Sequence, residues 1–266
     1  MQQLFPPPGP DAATPVDLVD AYAYPPREEG PYLRANMVSS LDGAATHDGA
    51  SAPLSSPADM RIFGTLRALA DVIVVGAGTV RQEGYRPGRA RPSFAERRAA
   101  DGQPPAPAIA VLSRRLDLDF SAPLFTAALT PTLVLTGTGA DAGARAAAEA
   151  AGARVVTAGD GDGVDPVRVV RELAALGLSR LLHEGGPRVL AQFAAAGVVD
   201  ELCLTLAPLT VGGGAPRIMD GPGVADPTRF APVSVLEEDG FLFTRYVERR
   251  RLGRLRVKPA ETQVTA

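Results

Sequence analysis

The feature that most constrains the fold is a series of short apolar runs separated by segments of helix-forming composition. Residues 71–75 (DVIVV), Ala108–Leu112, 132–136, Arg154–Thr157 and Arg180–His183 are brief and apolar without regular alternation. A strand of that kind is buried on both faces. Between them lie the alanine- and leucine-rich stretches 141–151, 166–176 and 187–196. Strands alternating with helices predict an α/β fold, a mostly parallel central sheet with helices on both faces. The chain then changes character. Residues 200–206, 233–237 and Phe241–Glu248 read as strands with no helix between them, joined by Glu238-Asp239-Gly240 and the glycine-rich stretch 212–223. That predicts antiparallel C-terminal strands added to the parallel sheet.

Upstream, Leu33, Ala35 and Met37 alternate as on a strand over 32–39. Ser56-Pro57-Ala58-Asp59 has the pattern of a helix start: a capping hydroxyl, a proline at the first helical position and an acid near the positive end. Met60, Phe63 and Leu66 continue it at helical spacing to Ala70. Residues 1–30 are proline-rich and read as an extended N-terminal segment with one turn around 16–21. One domain is expected over 31–250. Residues 251–266 read as a basic C-terminal tail, solvated like most charge runs. Residues 86–107 mix Arg, Pro, Ala and Gly without periodicity, as in a mobile connection or a functional flap.

Composition narrows the partners. A net charge of −3 over 266 residues argues against nucleic acid, which calls for a basic excess. Cys203 is the single cysteine and His47 and His183 the only histidines, so neither a disulfide framework nor a metal site is expected. No apolar run reaches bilayer length, and residues 1–10 lack a signal-peptide core. The expectation is a cytoplasmic protein with no membrane partner.

Two strand-to-helix turns carry the chemistry. In Val75-Gly76-Ala77-Gly78-Thr79-Val80, glycines allow close approach of a ligand to the backbone, and the following helix start offers free amides to an anion. The second turn is His183-Glu184-Gly185-Gly186-Pro187. Each alone also fits a plain tight turn. Two of them in one parallel sheet favour a dinucleotide lying across the strand ends. The usual dinucleotide fingerprint is absent, since no third glycine and no ribose-binding acid follow. Instead Ser113 and Arg114 follow the run Ala108–Leu112, where a hydroxyl and a guanidinium suit a ribose 2′-phosphate and hence NADPH. An exposed polar turn fits those residues as well. Glu184, placed between a buried strand and the glycines, is the candidate catalytic acid. The alternative is a carboxylate bonded to amides at the helix entrance.

Taken in order, Ser40-Leu41-Asp42-Gly43, the stretch from Leu66-Arg67-Ala68 through Gly76-Ala77-Gly78-Thr79-Val80, Glu184-Gly185-Gly186-Pro187 and Val199-Asp200-Glu201-Leu202 resemble the pyrimidine reductases of riboflavin biosynthesis. The resemblance implies a dihydrofolate-reductase-like fold, a homodimer, and NADPH-dependent reduction of 5-amino-6-(5-phosphoribosylamino)uracil to its ribityl product. By position it implies cofactor contacts at Val38, Pro53, Ser55, Thr79 and Glu83, besides Gly76, Gly78, Ser113 and Arg114. It also implies a pyrophosphate-binding helix start at Gly185, Gly186, Pro187, Arg188, Val189 and Leu190. Ser51, Arg67 and Glu184 become substrate contacts, and the arginine gripping the substrate phosphate falls on Arg86 or Arg89.

The departures lie on the substrate side. Pro53 replaces a tryptophan and Asn36 a lysine of the bifunctional members, and Glu83-Gly84-Tyr85 replaces Asp-Asp-Pro. The zinc-dependent deaminase half of those members has no counterpart in this sequence. Two other readings keep the fold: a reductase of dihydrofolate or another pterin, and a non-catalytic, NADPH-binding regulatory protein.

Overall fold

The apolar runs become strands. Those at 72–76, 108–112, 133–136 and 180–183 are covered on both faces, whereas that at 154–157, expected to be buried, forms a half-exposed edge because no strand lies beyond it among the described residues. The computed structural model describes residues 1–7, 15–221, 223–224 and 226–254. Its strands are β1 (Gln2–Phe5), β2 (Tyr32–Ser40), β3 (Val72–Gly76), β4 (Ala108–Leu112), β5 (Leu133–Thr136), β6 (Arg154–Thr157), β7 (Arg180–His183), β8 (Glu201–Ala207), β9 (Phe230–Glu238) and β10 (Phe241–Glu248). They form one sheet in the order β1-β9-β10-β8-β2-β7-β3-β4-β5-β6. From β8 across to β6 every neighbouring pair is parallel. The pairs β8–β10, β10–β9 and β9–β1 are antiparallel. This is the expected α/β architecture with its antiparallel C-terminal addition.

The helices are α1 (Leu18–Ala21), α2 (Pro57–Leu69), α3 (Ala77–Glu83), α4 (Ala95–Ala100), α5 (Pro123–Thr126), α6 (Ala142–Ala150), α7 (Pro166–Ala175) and α8 (Pro187–Ala195). Alternate residues of the central strands feed two cores. Ile73, Val75, Ile109, Val111 and Val134 join Leu66 of α2 and Ala148 of α6. Val72, Val74, Ala110, Leu133 and Leu135 join Val169 and Leu173 of α7 and Leu190 and Phe193 of α8. Period-two geometry sends successive side chains to opposite faces, so a strand covered on both sides must be apolar throughout. Ser56 caps α2 as its sequence predicts, its hydroxyl accepting from the Asp59 amide at 3.1 Å. Asp141 and Asp165 cap α6 and α7 in the same way.

Two regions hold more structure than their sequences suggest. The proline-rich N-terminal segment contributes β1 as an edge strand on β9, and α1 occupies the expected turn. The 86–107 connection contains a 3-10 turn at Pro92–Phe94 and then α4, with Phe94 and Arg98 buried. Arg98 donates to the carbonyls of Ala68 and Ala70 at the end of α2, and to that of Pro104. It thus gives acceptors at a helix C-terminus the donors they lack. Of the basic tail, Arg249–Arg254 form a 3-10 turn in which Arg250 pairs with Glu248 and Arg251 with Asp200. Arg256 and Lys258 lie outside the described residues.

The Val199–Leu202 motif proves to be a buried electrostatic knot. Glu201 on β8 is fully buried, 2.9 Å from Arg34 of β2 and 2.9 Å from Arg245 of β10. Tyr32 and Cys203 also donate to its oxygens. Burial alone would push its carboxyl up, but the two guanidiniums outweigh that and hold it well below the ordinary range. The arginines go on to donate to the carbonyls of Ala21, Tyr22 and Ala23, fastening the N-terminal segment to the sheet.

Candidate active site

Two corners of the sheet meet at the carboxyl ends of β3 and β7. The Gly76 amide donates to the Gly185 carbonyl at 3.1 Å, and the Glu184 amide to the Val74 carbonyl at 3.0 Å. The Gly185–Gly186 peptide is cis, and Gly185 has φ 94°, a left-handed conformation that favours glycine. The two glycine turns touch each other. A Cβ on Gly186 would lie 2.7 Å from the Thr79 hydroxyl, whereas one on Gly78 would meet nothing within 4 Å. The first glycine lets the Thr79 side chain pack closely against it. The second leaves backbone open to a ligand.

Together with the start of the loop after β4, these corners wall a cleft of about 870 Å³, within the range of cofactor sites. Gly76, Gly78, Thr79, Ser113, Arg114, Gly186, Pro187, Arg188 and Val189 all line it. Ser113 is buried, with its amide on the Leu135 carbonyl. Val189 and Leu190 both donate their amides to the Gly186 carbonyl. Because Pro187 has no N–H, Arg188 is the first residue of α8 with an amide to offer an anion. Leu190 turns into the core and does not line the cleft.

The cleft is strongly basic although the chain is acidic overall. Five arginines line it (Arg81, Arg114, Arg115, Arg188 and Arg217) against two aspartates. Arg81 lies 3.7 Å from Asp117 and Arg188 lies 3.9 Å from Asp220. Arg114, Arg115 and Arg217 have no ion-pair partner among the described residues. A concave wall of one sign raises the local concentration of an anionic ligand. These donors, together with open glycine backbone, fit a phosphorylated dinucleotide.

Adjoining the cleft through Glu184 is a second cluster. Both Glu184 oxygens accept from Arg67 of α2, at 2.7 Å from Nε and 2.6 Å from Nη2. Arg67 Nη2 also donates to the Tyr85 hydroxyl at 2.8 Å, and that hydroxyl in turn donates to Glu184. The guanidinium lies 4.3 Å from the centre of the Phe63 ring. Glu184 is therefore bonded to a cation and a phenol, not to helix amides. Its side chain is 4% exposed and that of Arg67 is 25% exposed, so the guanidinium is the accessible member of the pair.

The other expected positions are more scattered. Ser51 donates to Glu83 at the end of α3 through its amide and hydroxyl, at 3.4 and 3.3 Å. Ser55 spends its hydroxyl on Asp59, at 2.6 Å. Val38 pairs with Thr205 across β2 and β8, and Pro53 is exposed in the 3-10 turn Ala52–Leu54. Neither Val38, Pro53, Ser55 nor Glu83 lines the cleft. Arg86 and Arg89 are exposed on the connection after Tyr85 and bond to neither Arg67 nor Glu184. Tyr85 is a site residue that sequence reading passed over. Its one signal was an aromatic within the segment that departs from the family pattern.

A mostly parallel sheet with antiparallel strands added at one side, and a basic, glycine-walled cleft at its strand ends, defines an α/β protein whose candidate site lies where such folds take their ligands. The chain belongs to the RibD C-terminal domain family, which it matches over residues 31–240. It is 27% identical over 216 residues to the 2,5-diamino-6-ribosylamino-4(3H)-pyrimidinone 5′-phosphate reductase of Archaeoglobus fulgidus, covering 80% of this chain and 97% of that one. It is 32% identical over 201 residues to the reductase of the same name from Aquifex aeolicus, covering 73% and 85% of the two chains. Among solved structures, a pyrimidine reductase-like protein from Corynebacterium diphtheriae superimposes with a TM-score of 0.77 at 29% identity, covering 88% of this chain and 99% of that one.

Proposed function

We propose that this protein is an NADPH-dependent oxidoreductase that reduces the ribosyl group of a phosphorylated ribosylamino-pyrimidine, as in riboflavin synthesis, and works as a cytoplasmic homodimer. The observation that carries this reading is the joining of a basic dinucleotide-sized cleft to the Arg67–Tyr85–Glu184 cluster by a single turn. Glu184 directly precedes Gly185, which bonds to Gly76, and Gly186, which lines the cleft. The relatives named for a ribosylamino-pyrimidine 5′-phosphate support the substrate class.

NADPH held in the cleft supplies the hydride. Ser113 and Arg114 receive its 2′-phosphate, and Gly78, Thr79, Gly186 and Arg188 its pyrophosphate. Ser51 and Arg67 face the substrate, and Arg67 takes its 5′-phosphate, with Arg86 or Arg89 supplied by the adjoining connection. Glu184 orients the sugar. Reduction at C1 requires a hydride on that carbon and a proton on the ring oxygen that leaves it. Glu184 relays that proton, with the Tyr85 hydroxyl beside it. The main contribution of the chain is to hold reactants in line.

The test is NADPH oxidation with 5-amino-6-(5-phosphoribosylamino)uracil, with its 2,5-diamino pyrimidinone counterpart and with dihydrofolate, alongside fluorescence titration of NADPH and NADH. Turnover of a pyrimidine and tighter binding of NADPH, by about tenfold or more for one charge-assisted phosphate site, are expected. Equal affinities would remove the role of Ser113 and Arg114. Turnover of dihydrofolate alone would replace the substrate.

A further inference from the structure

The cleft has a third wall. The stretch between β8 and β9 contributes Gly214, Ala215, Pro216, Arg217 and Asp220 to its lining. Gly212 and Gly213 take φ 69° and 67°, which turns the chain back over the strand ends. Three sets of bonds hold this stretch in place. At its start, the Asp42 carboxylate accepts from the Gly212 amide at 2.6 Å, from the Val211 amide at 3.1 Å and from the Ser40 hydroxyl at 2.5 Å. In the middle, the Ala45 amide donates to the Pro216 carbonyl at 2.8 Å. At its end, the Asp220 amide donates to the Pro187 carbonyl at 3.2 Å, on the first residue of α8. The Ser40 hydroxyl also accepts from the Ala44 amide at 2.9 Å, so the turn that presents Asp42 is itself braced.

Arg217 sits between the second and third fastenings. It is exposed, lines the cleft and has no ion-pair partner among the described residues. Asp42 belongs to no binding contact described above, yet its carboxylate is saturated by the loop. A carboxylate accepting from successive backbone amides fixes the path of the segment that carries them.

We propose that Arg217 is a further phosphate-binding residue for the dinucleotide, and that Asp42 is its positioning residue, clamping the 209–220 segment as a wall of the cleft. The proposal rests on the NADPH reading above. It adds a cation from the side of the cleft that follows β8, whereas Ser113 and Arg114 follow β4. Its segment is tied at its start by Asp42 and by the Leu41 amide on the Leu209 carbonyl, and further on by Ala45 and Pro187.

The test is a double-mutant cycle read by NADPH fluorescence titration, with tryptic cleavage after Arg217 as a second readout. Arg217→Ala should raise the NADPH Kd about tenfold, the size of one charge-assisted contact. Asp42→Ala should raise it about fivefold in the native background and by less than about twofold when Arg217 is already alanine, because coupled residues are not additive. Asp42→Ala should also speed cleavage after Arg217, and NADPH should slow that cleavage in the unmodified protein. If Asp42→Ala does not fold, Asp42→Asn, which keeps one acceptor oxygen, takes its place in the cycle. Additive effects, or an unchanged Kd in Arg217→Ala, overturn the proposal alone. Failure of the unmodified protein to bind NADPH overturns the cofactor reading with it.

Discussion

At Glu184 a carboxylate, a guanidinium and a phenol occupy one another's polar atoms. Tyr85 holds both other members, so its hydroxyl sets where Arg67 directs its remaining N–H groups, which on the proposed function meet a substrate phosphate. Tyr85→Phe keeps the ring and removes only that hydroxyl. The substrate KM should rise about tenfold, in keeping with a hydrogen bond to a charged group, while NADPH affinity stays within a factor of about two. Steady-state kinetics and a cofactor titration check this, and an unchanged KM would remove Tyr85 from the site. Arg67 and Glu184 were legible as single residues because each sits in a recognisable motif. Their pairing was not, because they lie 117 positions apart and meet only when α2 and β7 pack. Tyr85 was hidden for a related reason: it stands outside any periodic element and acquires its meaning from two distant partners.

At the scale of elements, strands whose side chains enter both cores announced themselves. Their β-branched and leucine runs have no other means of burial, and the boundaries of β4, β6, β7 and β10 coincide with the apolar patterns. Elements held by particular side-chain or edge contacts, without a periodic pattern, did not. The short exposed strand β1 has no pattern of its own and forms because the edge of β9 offers it a ladder. Helix α4 is tied down by Arg98, a residue type that composition alone would leave in solvent, together with buried Phe94 before it and the Asp101–Arg180 pair at its end. Arg98→Ala leaves the carbonyls of Ala68, Ala70 and Pro104 without that donor and should cost about 2–3 kcal/mol, read as a fall in the unfolding midpoint. NADPH affinity should be retained, since α4 lies outside the cleft lining. A midpoint unchanged within error would mean that α4 is held by something other than this guanidinium.

For the molecule as a whole, two buried groups set its response to acid. His183 is completely buried, with Nδ1 accepting from the Gly185 amide at 3.0 Å and its ring 4.9 Å from that of Phe193. Burial drives its pKa from 6.5 down to about 3. Because the folded value lies below the unfolded one, the unfolded chain takes up the proton first, and stability falls as pH drops from 6.5 toward 3. The slope contributed is at most about 1.4 kcal/mol per pH unit. Glu201, also depressed, adds its own loss below its unfolded value of 4.5. Urea unfolding should therefore show declining stability below neutrality that steepens under pH 4.5. His183→Asn, which retains an acceptor for Gly185 without titrating, should flatten the upper part only. A slope identical in that variant would relieve His183 of this role. The contact between Gly186 and Thr79 has a reach beyond binding. One corner has no room for a methyl group because the other fills that room with a hydroxyl, so segments over a hundred positions apart are not free to drift separately. Alanine at 186 would press on the Thr79 hydroxyl and oblige that side chain to turn away, so a change at either position is felt at the other.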